Sequence, residues 1–498
     1  MGAGALNQTI AVPFRRHHPE RGILYQTIEA YWPIFVSEQA KVGKSFPIFI
    51  HEEFEKFLEC GVPEHGFIRT YCHQCRVSGI VAFSCKKRGF CPSCTARRMN
   101  DEAAHLVDRV IPLVMTRQWV LSFPYKLRFL MAHNPKLTNK ALAVFIGTIS
   151  AFYKKKAKKC GILKAVPGSV TFVQRFGSAL NLNVHFHTLF TDGVFYKVGD
   201  GYEFYRIQAP SQEELHFLAE KIQKKIFKVI EKLGLNDRDQ IWLDENILGE
   251  VSSMSITHKA GFGERAGNGL KRYGIKRIEV DPEDNDPMSC NVGGFSLNAR
   301  VWIAGGERKK LEQLIRYMAR GPIATKRLTR SFSNHLLYKM KTPWRDGTTH
   351  VSFSPLDFIA RLVALIPPPK VNLVRYHGVF APNFRDRKFV VLKPRPEKNL
   401  ESPEATSASG DSHKGVRRER LRWSEMLKRT FEIDVTVCLK CNGHLEQIAI
   451  IKDRVVAKAI LASLMETTEF RPLEIVRERG PPETGGLAFD EFDQRGSW

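Results

Sequence analysis

Two histidines separated by one residue are the part of the sequence best suited to chemistry. His185 and His187 lie in a stretch, residues 183–195, where valine and aromatic residues alternate with polar ones, which predicts a β-strand. Side chains two positions apart share one face of a strand, so both imidazoles face one way and Phe186 faces the other. Two neutral imidazoles so placed can hold a divalent metal. The alternative is that they fill a half-buried sheet.

The neighbouring segments determine what else reaches these histidines. Residues 169–176 predict a second strand that pairs antiparallel with the histidine strand. Gln174 on it either supplies a third, oxygen ligand to the metal or is a polar residue on an exposed face. The dipeptide Asp192-Gly193 is typical of a hairpin turn, so we expect a β-meander to continue after the histidine strand.

A tyrosine on a later helix is the candidate nucleophile. Residues 307–320 have an apolar stripe with helical spacing, and Gly321-Pro322 ends the helix. Tyr317 lies about 110° from the centre of that stripe, so its ring can pack while its hydroxyl reaches solvent or substrate. Arg316 and Arg320 flank it and could neutralise a phosphate. If Tyr317 faces the metal, its phenolate could attack phosphorus; otherwise it is a packing residue.

The cysteines indicate structural zinc. Of the ten, six fall between Cys60 and Cys94. The pairs Cys72-x-x-Cys75 and Cys91-x-x-Cys94, with fifteen residues between them, predict one four-thiolate zinc site. Three further residues are spare candidate ligands, namely Cys60, Cys85 and His73. A weaker zinc pattern, Cys438-x-x-Cys441 with His444, lies near the carboxyl end.

The charge balance favours a polyanionic partner. Lysine and arginine number 76 against 52 acidic residues, giving a net charge of +24, and nucleic acid is the commonest polyanion. Residues 372–380 are basic and aromatic, which suits stacking on unpaired bases, although a packed strand has the same pattern. No apolar run is long enough to cross a membrane, so we expect a soluble, cytoplasmic protein with no membrane partner. No GxxxxGK[ST] phosphate loop occurs, which argues against nucleotide hydrolysis.

Composition suggests five regions. We expect a helical cap and zinc-binding domain over residues 1–112, a catalytic domain over 113–392 and a small carboxyl-terminal module over 421–470. Residues 393–420, rich in Pro, Ser, Glu and Lys, predict a flexible linker, and residues 471–498 predict a disordered tail.

Several of these motifs, in this order, resemble a known family. The cysteine pairs with Arg97-Arg98, the run 174–181 leading into His185-Phe186-His187, the segment 316–322 and the segment 371–378 look like the transposases of the insertion-sequence-91 group. These are HUH-type single-strand DNA transposases with an amino-terminal zinc-binding domain. Well-known members carry two tyrosines four residues apart, whereas Gly321 stands four residues after Tyr317 and Gln313 four before it. The chain therefore resembles the single-tyrosine branch.

The resemblance implies a fold, a reaction and a set of partners. It implies an α+β protein with an HUH endonuclease-like antiparallel sheet flanked by helices, a zinc ribbon before it and a small module after it. His185 and His187, with Gln174, would bind Mg²⁺ or Mn²⁺, and Tyr317 would form a 5′-phosphotyrosine during rolling-circle-like transposition. The partner would be single-stranded or cruciform DNA at element ends, in the bacterial cytoplasm with the nucleoid. A second subunit, in a homodimer, could supply the second cleavage.

Six arginines and one tyrosine are the expected DNA contacts, and two other classes of protein share part of the pattern. The DNA-contacting residues are expected to be Arg97, Arg98, Arg175, Arg316, Arg320, Arg375 and Tyr376. A plasmid replication initiator or relaxase would share the chemistry, but the long zinc segment and the Tyr-Met-Ala-Arg-Gly-Pro context argue against it. A non-catalytic zinc protein that binds nucleic acid would need neither the paired histidines nor Tyr317.

Overall fold

A seven-stranded antiparallel sheet carries the histidine strand near its centre. The computed structural model describes residues 18–235, 246–274 without 264, 288–391 without 345, residue 425 and 436–466 without 439. The strands in spatial order are β15 (Val374–Gly378), β4 (Gly168–Phe176), β5 (Leu182–Thr191), β3 (Thr116–Ser122), β10 (Phe295–Asn298) and β9 (Ser289–Val292), with β11 (Trp302–Ile303) also paired to β3. The predicted pairing of the histidine strand β5 with β4 is confirmed.

Helices cover both faces of this sheet. The described α-helices, in chain order, are α1 (Ile23–Lys41), α2 (Ile48–Glu59), α3 (Pro92–His105), α4 (Tyr125–His133), α5 (Pro135–Lys159), α6 (Gln212–Lys232), α7 (Ile247–Ile256), α8 (Arg308–Met318), α9 (Pro355–Leu365) and α10 (Arg454–Glu466). The last of these packs elsewhere, against Phe67 and Ile80. One core packs α3 and α8 against Val170, Phe172 and Leu189. A larger core packs the remaining helices up to α9 against the opposite face, which carries Phe186 and Phe190. The alternation of the strand sequence therefore sorts the histidines and Phe186 onto opposite faces, as predicted.

Three smaller sheets complete the described part of the chain. One contains β16 (Leu445–Ile451), β1 (Phe67–Cys72) and β2 (Ser78–Ala82) in that order. The second contains β12 (Leu328–Arg330), β13 (Leu336–Lys339), β14 (Thr348–Phe353) and β8 (Lys271–Gly274), and the third pairs β6 (Gly193–Val198) with β7 (Gly201–Arg206). The α+β class is confirmed by these elements. None of the described helices is both long and apolar enough to cross a bilayer.

The chain after β5 and the carboxyl-terminal segment differ from what the sequence predicted. Asp192-Gly193 is not a hairpin turn, because β5 pairs with β3 and β4 while β6 pairs with β7. Asp192 is instead buried in an ion pair with Arg117. The segment predicted to be a separate carboxyl-terminal module contributes β16 to the sheet of β1 and β2. The predicted linker 393–420 and tail 471–498 lie outside the described residues.

Candidate active site and cysteine clusters

The two histidines of β5 converge on one point on the face covered by α8. The Nε2 atoms of His185 and His187 lie 3.0 Å apart, and both side chains are 1% exposed. Each ring is held at its other nitrogen. His185 donates from Nδ1 to the backbone carbonyl of Asn183 at 2.9 Å, and the Nδ1 of His187 lies 2.8 Å from the side-chain amide nitrogen of Gln118 on β3.

Gln174 lies beside His185 because the two residues are paired across β4 and β5. Its side chain is buried, and its amide nitrogen donates to the backbone carbonyl of Met318 at 2.8 Å. Its Oε1 is buried and has no hydrogen-bond partner among the described residues. A buried amide oxygen without a donor is costly unless something else satisfies it. Gln174 lies on the face of the sheet that carries the histidines, and its role as a third ligand stays a prediction.

These three side chains form a donor set that suits a divalent cation. Two ligand atoms about 2.1 Å from an octahedral ion and at a right angle to one another lie about 3.0 Å apart, and the two Nε2 atoms are 3.0 Å apart. Imidazole nitrogens and an amide oxygen are ligands that such ions accept in proteins. The Oε1 of Gln174, which has no hydrogen-bond partner among the described residues, would be a third donor on the same face.

Tyr317 reaches this donor set from α8. Its ring centroid is 5.8 Å from that of His187, and the rings are nearly perpendicular at 88°. The helix follows the predicted stripe, since Leu311, Leu314, Ile315 and Met318 are all buried. Gly321 lets the end of the helix approach α3, because a Cβ at this position would lie 2.5 Å from the Thr95 hydroxyl. The expectation that the Tyr317 hydroxyl reaches solvent is wrong, since the side chain is 3% exposed.

Two cations lie against the Tyr317 ring. The guanidinium carbon of Arg320 is 4.4 Å from the ring centroid, and the Lys341 Nζ is 5.5 Å from it. They place positive charge next to the phenol, where the negative charge of a phosphate would enter. The sequence singled out Arg320 by its position near Tyr317. Lys341 was missed because it follows β13 in a loop, where a lysine carries no pattern.

The other expected DNA contacts occupy different environments. Arg97 is exposed, whereas Arg98 donates to the carbonyls of Lys86 and Lys87. Arg316 pairs with Glu312 on its own helix at 2.6 Å.

The remaining three expected DNA contacts are Arg175, Arg375 and Tyr376. They lie on or near the edge of the sheet. Arg175 donates to the carbonyl of Ala132, and burial lowers its pKa to about 10. Arg375 and Tyr376 belong to β15, so residues 372–380 contain a paired strand, and the Tyr376 hydroxyl donates to Glu102 at 2.6 Å. Tyr376 therefore has its hydroxyl engaged within the protein.

Eight cysteines form two clusters of four. The first contains Cys60, Cys85, Cys91 and Cys94, and the second contains Cys72, Cys75, Cys438 and Cys441. Within each cluster the sulfur atoms lie within 4.8 Å of one another. Both clusters fit a structural zinc ion, for which four thiolates in a tetrahedron are a common ligand set.

The predicted pairing of the two CxxC motifs in one zinc site is therefore wrong. Cys72 and Cys75 lie at the turn of the β1–β2 hairpin, whereas Cys91 and Cys94 lie near its open end with Cys60 and Cys85. The hairpin holds the two motifs apart, and the sequence spacing did not show this. Cys60 and Cys85, which the sequence left as spare ligands, complete the first cluster. His73 instead pairs with Glu446 at 2.7 Å.

The thiols of the first cluster affect one another's pKa. Neighbouring thiols, with Cys60 the largest contributor, hold the pKa of Cys94 well below its usual range by donating to its thiolate. The sulfurs of Cys60 and Cys91 lie 3.6 Å apart, and those of Cys60 and Cys94 lie 3.8 Å apart. A four-thiolate zinc site requires all four thiols to lose their protons, so zinc uptake here would release protons.

Comparison with protein families identifies the class and then the family. Residues 168–388 match the family model described as "Putative transposase", and residues 27–123 match the model described as "Transposase zinc-binding domain". The first match contains both histidines and Tyr317, and the second contains the first cysteine cluster. No curated protein and no solved structure matches the chain. The protein is thus a DNA-processing enzyme with a zinc-binding domain.

The chain belongs to the insertion-sequence-91 family of transposases. The two matches together cover more than half of the sequence. Membership in this family implies that the protein binds DNA, in agreement with its net charge of +24.

Proposed function

We propose that this transposase nicks and rejoins single-stranded DNA through a covalent bond between Tyr317 and the 5′ phosphate. The observation that carries the proposal is the position of Tyr317, whose ring lies 5.8 Å from that of His187. A tyrosine that served only to pack α8 would have no need of two convergent imidazoles and two cations around it. The candidate ligands come from β4 and β5 and the proposed nucleophile comes from α8, and they lie next to one another.

The residues that would hold the catalytic cation are His185, His187 and Gln174. Mg²⁺ or Mn²⁺ bound there would polarise a phosphoryl oxygen and stabilise the charge that develops on it. The chain itself fixes the direction of both imidazoles. Asn183 orients His185, and Gln118 orients His187.

The proposed step exchanges one phosphate ester for another. The Tyr317 oxygen forms a bond to phosphorus while the bond from phosphorus to the 3′ oxygen breaks. Tyr317 loses its phenolic proton, and the departing 3′ oxygen takes one up to become a hydroxyl. Arg320 and Lys341, beside the ring, would stabilise the charge on the phosphate. Attack by a free 3′ hydroxyl reverses the step, so the bond energy is retained for rejoining.

The substrate we propose is unpaired DNA at the ends of the mobile element. Tyr317 and the histidines are buried, so the scissile phosphate must enter between α8 and the sheet, which a flexible single strand does more easily than a duplex. With one tyrosine in the segment 316–322, a second cleavage needs a second active site. A homodimer would provide it during a rolling-circle-like reaction.

The test is a search for the covalent product. Purified protein is incubated with labelled single-stranded oligonucleotides from element ends and with Mn²⁺, and the adduct is separated on a denaturing gel. Tyr317→Phe should abolish the adduct and retain DNA binding. The matched control is Tyr205→Phe, because Tyr205 is an exposed tyrosine on β7. Persistence of the adduct in Tyr317→Phe would rule out Tyr317 as the nucleophile, and its absence from the wild type would favour a non-catalytic binding protein.

A further inference from the structure

The second cysteine cluster joins two distant parts of the chain. Cys72 and Cys75 come from the amino-terminal region, and Cys438 and Cys441 come from the carboxyl-terminal region. The second pair lies outside both family matches. We propose that these four thiolates bind one zinc ion and so complete a zinc ribbon whose two halves are separated by the whole catalytic region.

The sulfur positions support one shared ion. The Cys72 and Cys441 sulfurs are 3.4 Å apart, and so are those of Cys75 and Cys438. Four sulfurs about 2.3 Å from a tetrahedral zinc lie about 3.8 Å from one another. Disulfide bonds would require about 2.05 Å, and all four cysteines are free. All four sulfurs lie within 4.8 Å of one another, and these two approaches run between the chain segments, so both pairs contribute to one cage.

The backbone gives an independent argument. Each CxxC pair is followed by a non-glycine residue in the left-handed region, Arg76 with φ 58° and Asn442 with φ 58°. Few non-glycine residues adopt this conformation, and it turns the chain sharply after the second cysteine. The two CxxC loops therefore have the same local form and face one another as matched halves of one site.

The two loops are also packed tightly against each other. A Cβ at Gly443 would lie 2.5 Å from the Gln74 side-chain oxygen and 3.4 Å from the Cys72 sulfur. Gly443 donates its backbone N–H to the Cys441 sulfur at 3.4 Å. The two loops are therefore in direct contact around the four sulfurs.

The ion would hold β16 and α10 in place. The core beneath them contains four buried residues, Phe67, Ile80, Ala457 and Leu461. This burial is small for a segment of this length, and small modules of this kind commonly depend on a structural metal. Besides the backbone pairing of β16 with β1, the segment is tied by exposed ion pairs such as that of Arg454 with Glu59, and exposed pairs add little stability. We therefore expect docking of the carboxyl-terminal segment to require the metal.

Metal content of the full-length chain tests the shared site. The wild type should contain two zinc ions per chain, one per cluster. Cys72→Ser/Cys75→Ser, Cys438→Ser/Cys441→Ser and the quadruple variant should each contain one. The control Cys160→Ser/Cys290→Ser, at cysteines outside both clusters, should keep two. Two ions in either double variant, or fewer in the quadruple variant than in each double variant, would overturn the proposal, as would iron in place of zinc.

Two measurements remain decisive if a serine variant does not fold. In the wild type, Cys438 and Cys441 should resist alkylation until a chelator is added and should then react at the same chelator concentration as Cys72 and Cys75. Amide exchange in β16 should accelerate at that concentration. Alkylation of Cys438 before metal removal would contradict the shared site. Neither readout involves DNA, so failure here and failure of the Tyr317 chemistry are distinguishable.

Discussion

The Nδ1 partners of His185 and His187 bear on how the two rings could hold a cation. A cation bound at both Nε2 atoms would leave each neutral ring with its proton on Nδ1. From His185 that proton is donated to the Asn183 carbonyl at 2.9 Å. From His187 it would point at Gln118, whose side-chain amide nitrogen lies 2.8 Å from Nδ1. Gln118 would then have to rotate its amide and present its oxygen.

Gln118 should therefore control cation affinity through His187. Gln118→Leu removes any acceptor for the Nδ1 proton, and loss of such a partner commonly costs about 10- to 100-fold in metal affinity. Gln118→Glu supplies an acceptor without rotation, so it should bind Mn²⁺ at least as tightly as the wild type. Titration with Mn²⁺ followed by electron paramagnetic resonance measures the difference. Equal affinity in Gln118→Leu and the wild type would contradict this role.

The sequence predicted which candidate ligands share a face of the sheet better than it predicted the residues that support them. His185, His187 and Gln174 follow from the strict alternation of strands, which places side chains two residues apart on one face. Gln118 contacts His187 across two strands whose pairing the sequence did not specify. A polar residue next to Trp119 in a buried strand was the available signal. The wrong expectation about the Tyr317 hydroxyl arose because helix geometry gives the angle of a side chain but not what covers it.

At the level of elements, a buried ion pair connects β3 with the end of β5, two central strands of the sheet. Arg117 on β3 makes two hydrogen bonds to Asp192 at the end of β5, at 3.0 Å and 2.8 Å. Tyr153 on α5 donates to the same carboxylate at 3.0 Å. Because β5 carries both histidines, these contacts fix the strand on which the site is built.

Breaking the ion pair between Arg117 and Asp192 should lower the free energy of unfolding. Asp192→Asn leaves the buried Arg117 guanidinium without its counter-charge, which typically costs about 3–5 kcal/mol in the free energy of unfolding. Glu220→Gln on α6 is the control, since Glu220 pairs with the exposed Lys224 at 3.3 Å and such pairs contribute about 0.5 kcal/mol. Urea unfolding measures both. A loss below about 1 kcal/mol for Asp192→Asn would show that the network does not hold the sheet.

The same residue shows where local patterns stop being informative. Asp-Gly is a strong hairpin signal when two adjacent strands pair with each other. Here β5 already has partners on both sides, so the chain leaves the sheet and β6 pairs with β7. Turn chemistry is a local property, whereas strand order depends on contacts far apart in sequence.

At the level of the whole molecule, two segments far apart in the sequence meet in one small sheet. Strand β16 pairs with β1 although β1 ends at Cys72 and β16 begins at Leu445. Sequence spacing favoured joining the neighbouring pairs Cys72/Cys75 and Cys91/Cys94. The fold instead joins each pair to residues that spacing cannot indicate. The cysteine types were therefore predictable, whereas their grouping required the three-dimensional structure.

Basic residues occur in many parts of the sequence. Neighbouring cations nevertheless differ in whether their side chains can contact a phosphate. The Arg97 side chain is exposed on α3, whereas Arg98 on the same helix holds the loop after Cys85 through the carbonyls of Lys86 and Lys87. Of these two arginines, Arg97 is the one whose side chain can exchange water for a phosphate. Contacts with phosphates release bound counterions, which makes affinity fall with salt.

Arg97→Ala should therefore weaken binding of single-stranded DNA and make its salt dependence shallower. Loss of one phosphate contact reduces the slope of log K against log salt by about 0.7 for a single strand. Arg98→Ala should instead lower the stability of the zinc-binding region, seen as faster zinc release to a chelator, because two loop carbonyls lose their donor. The control is Lys228→Ala, an exposed cation of α6 on the opposite side of the sheet from Tyr317. Fluorescence anisotropy across a salt series measures the DNA affinity of each variant. An unchanged slope of log K against log salt in Arg97→Ala would show that Arg97 does not contact DNA.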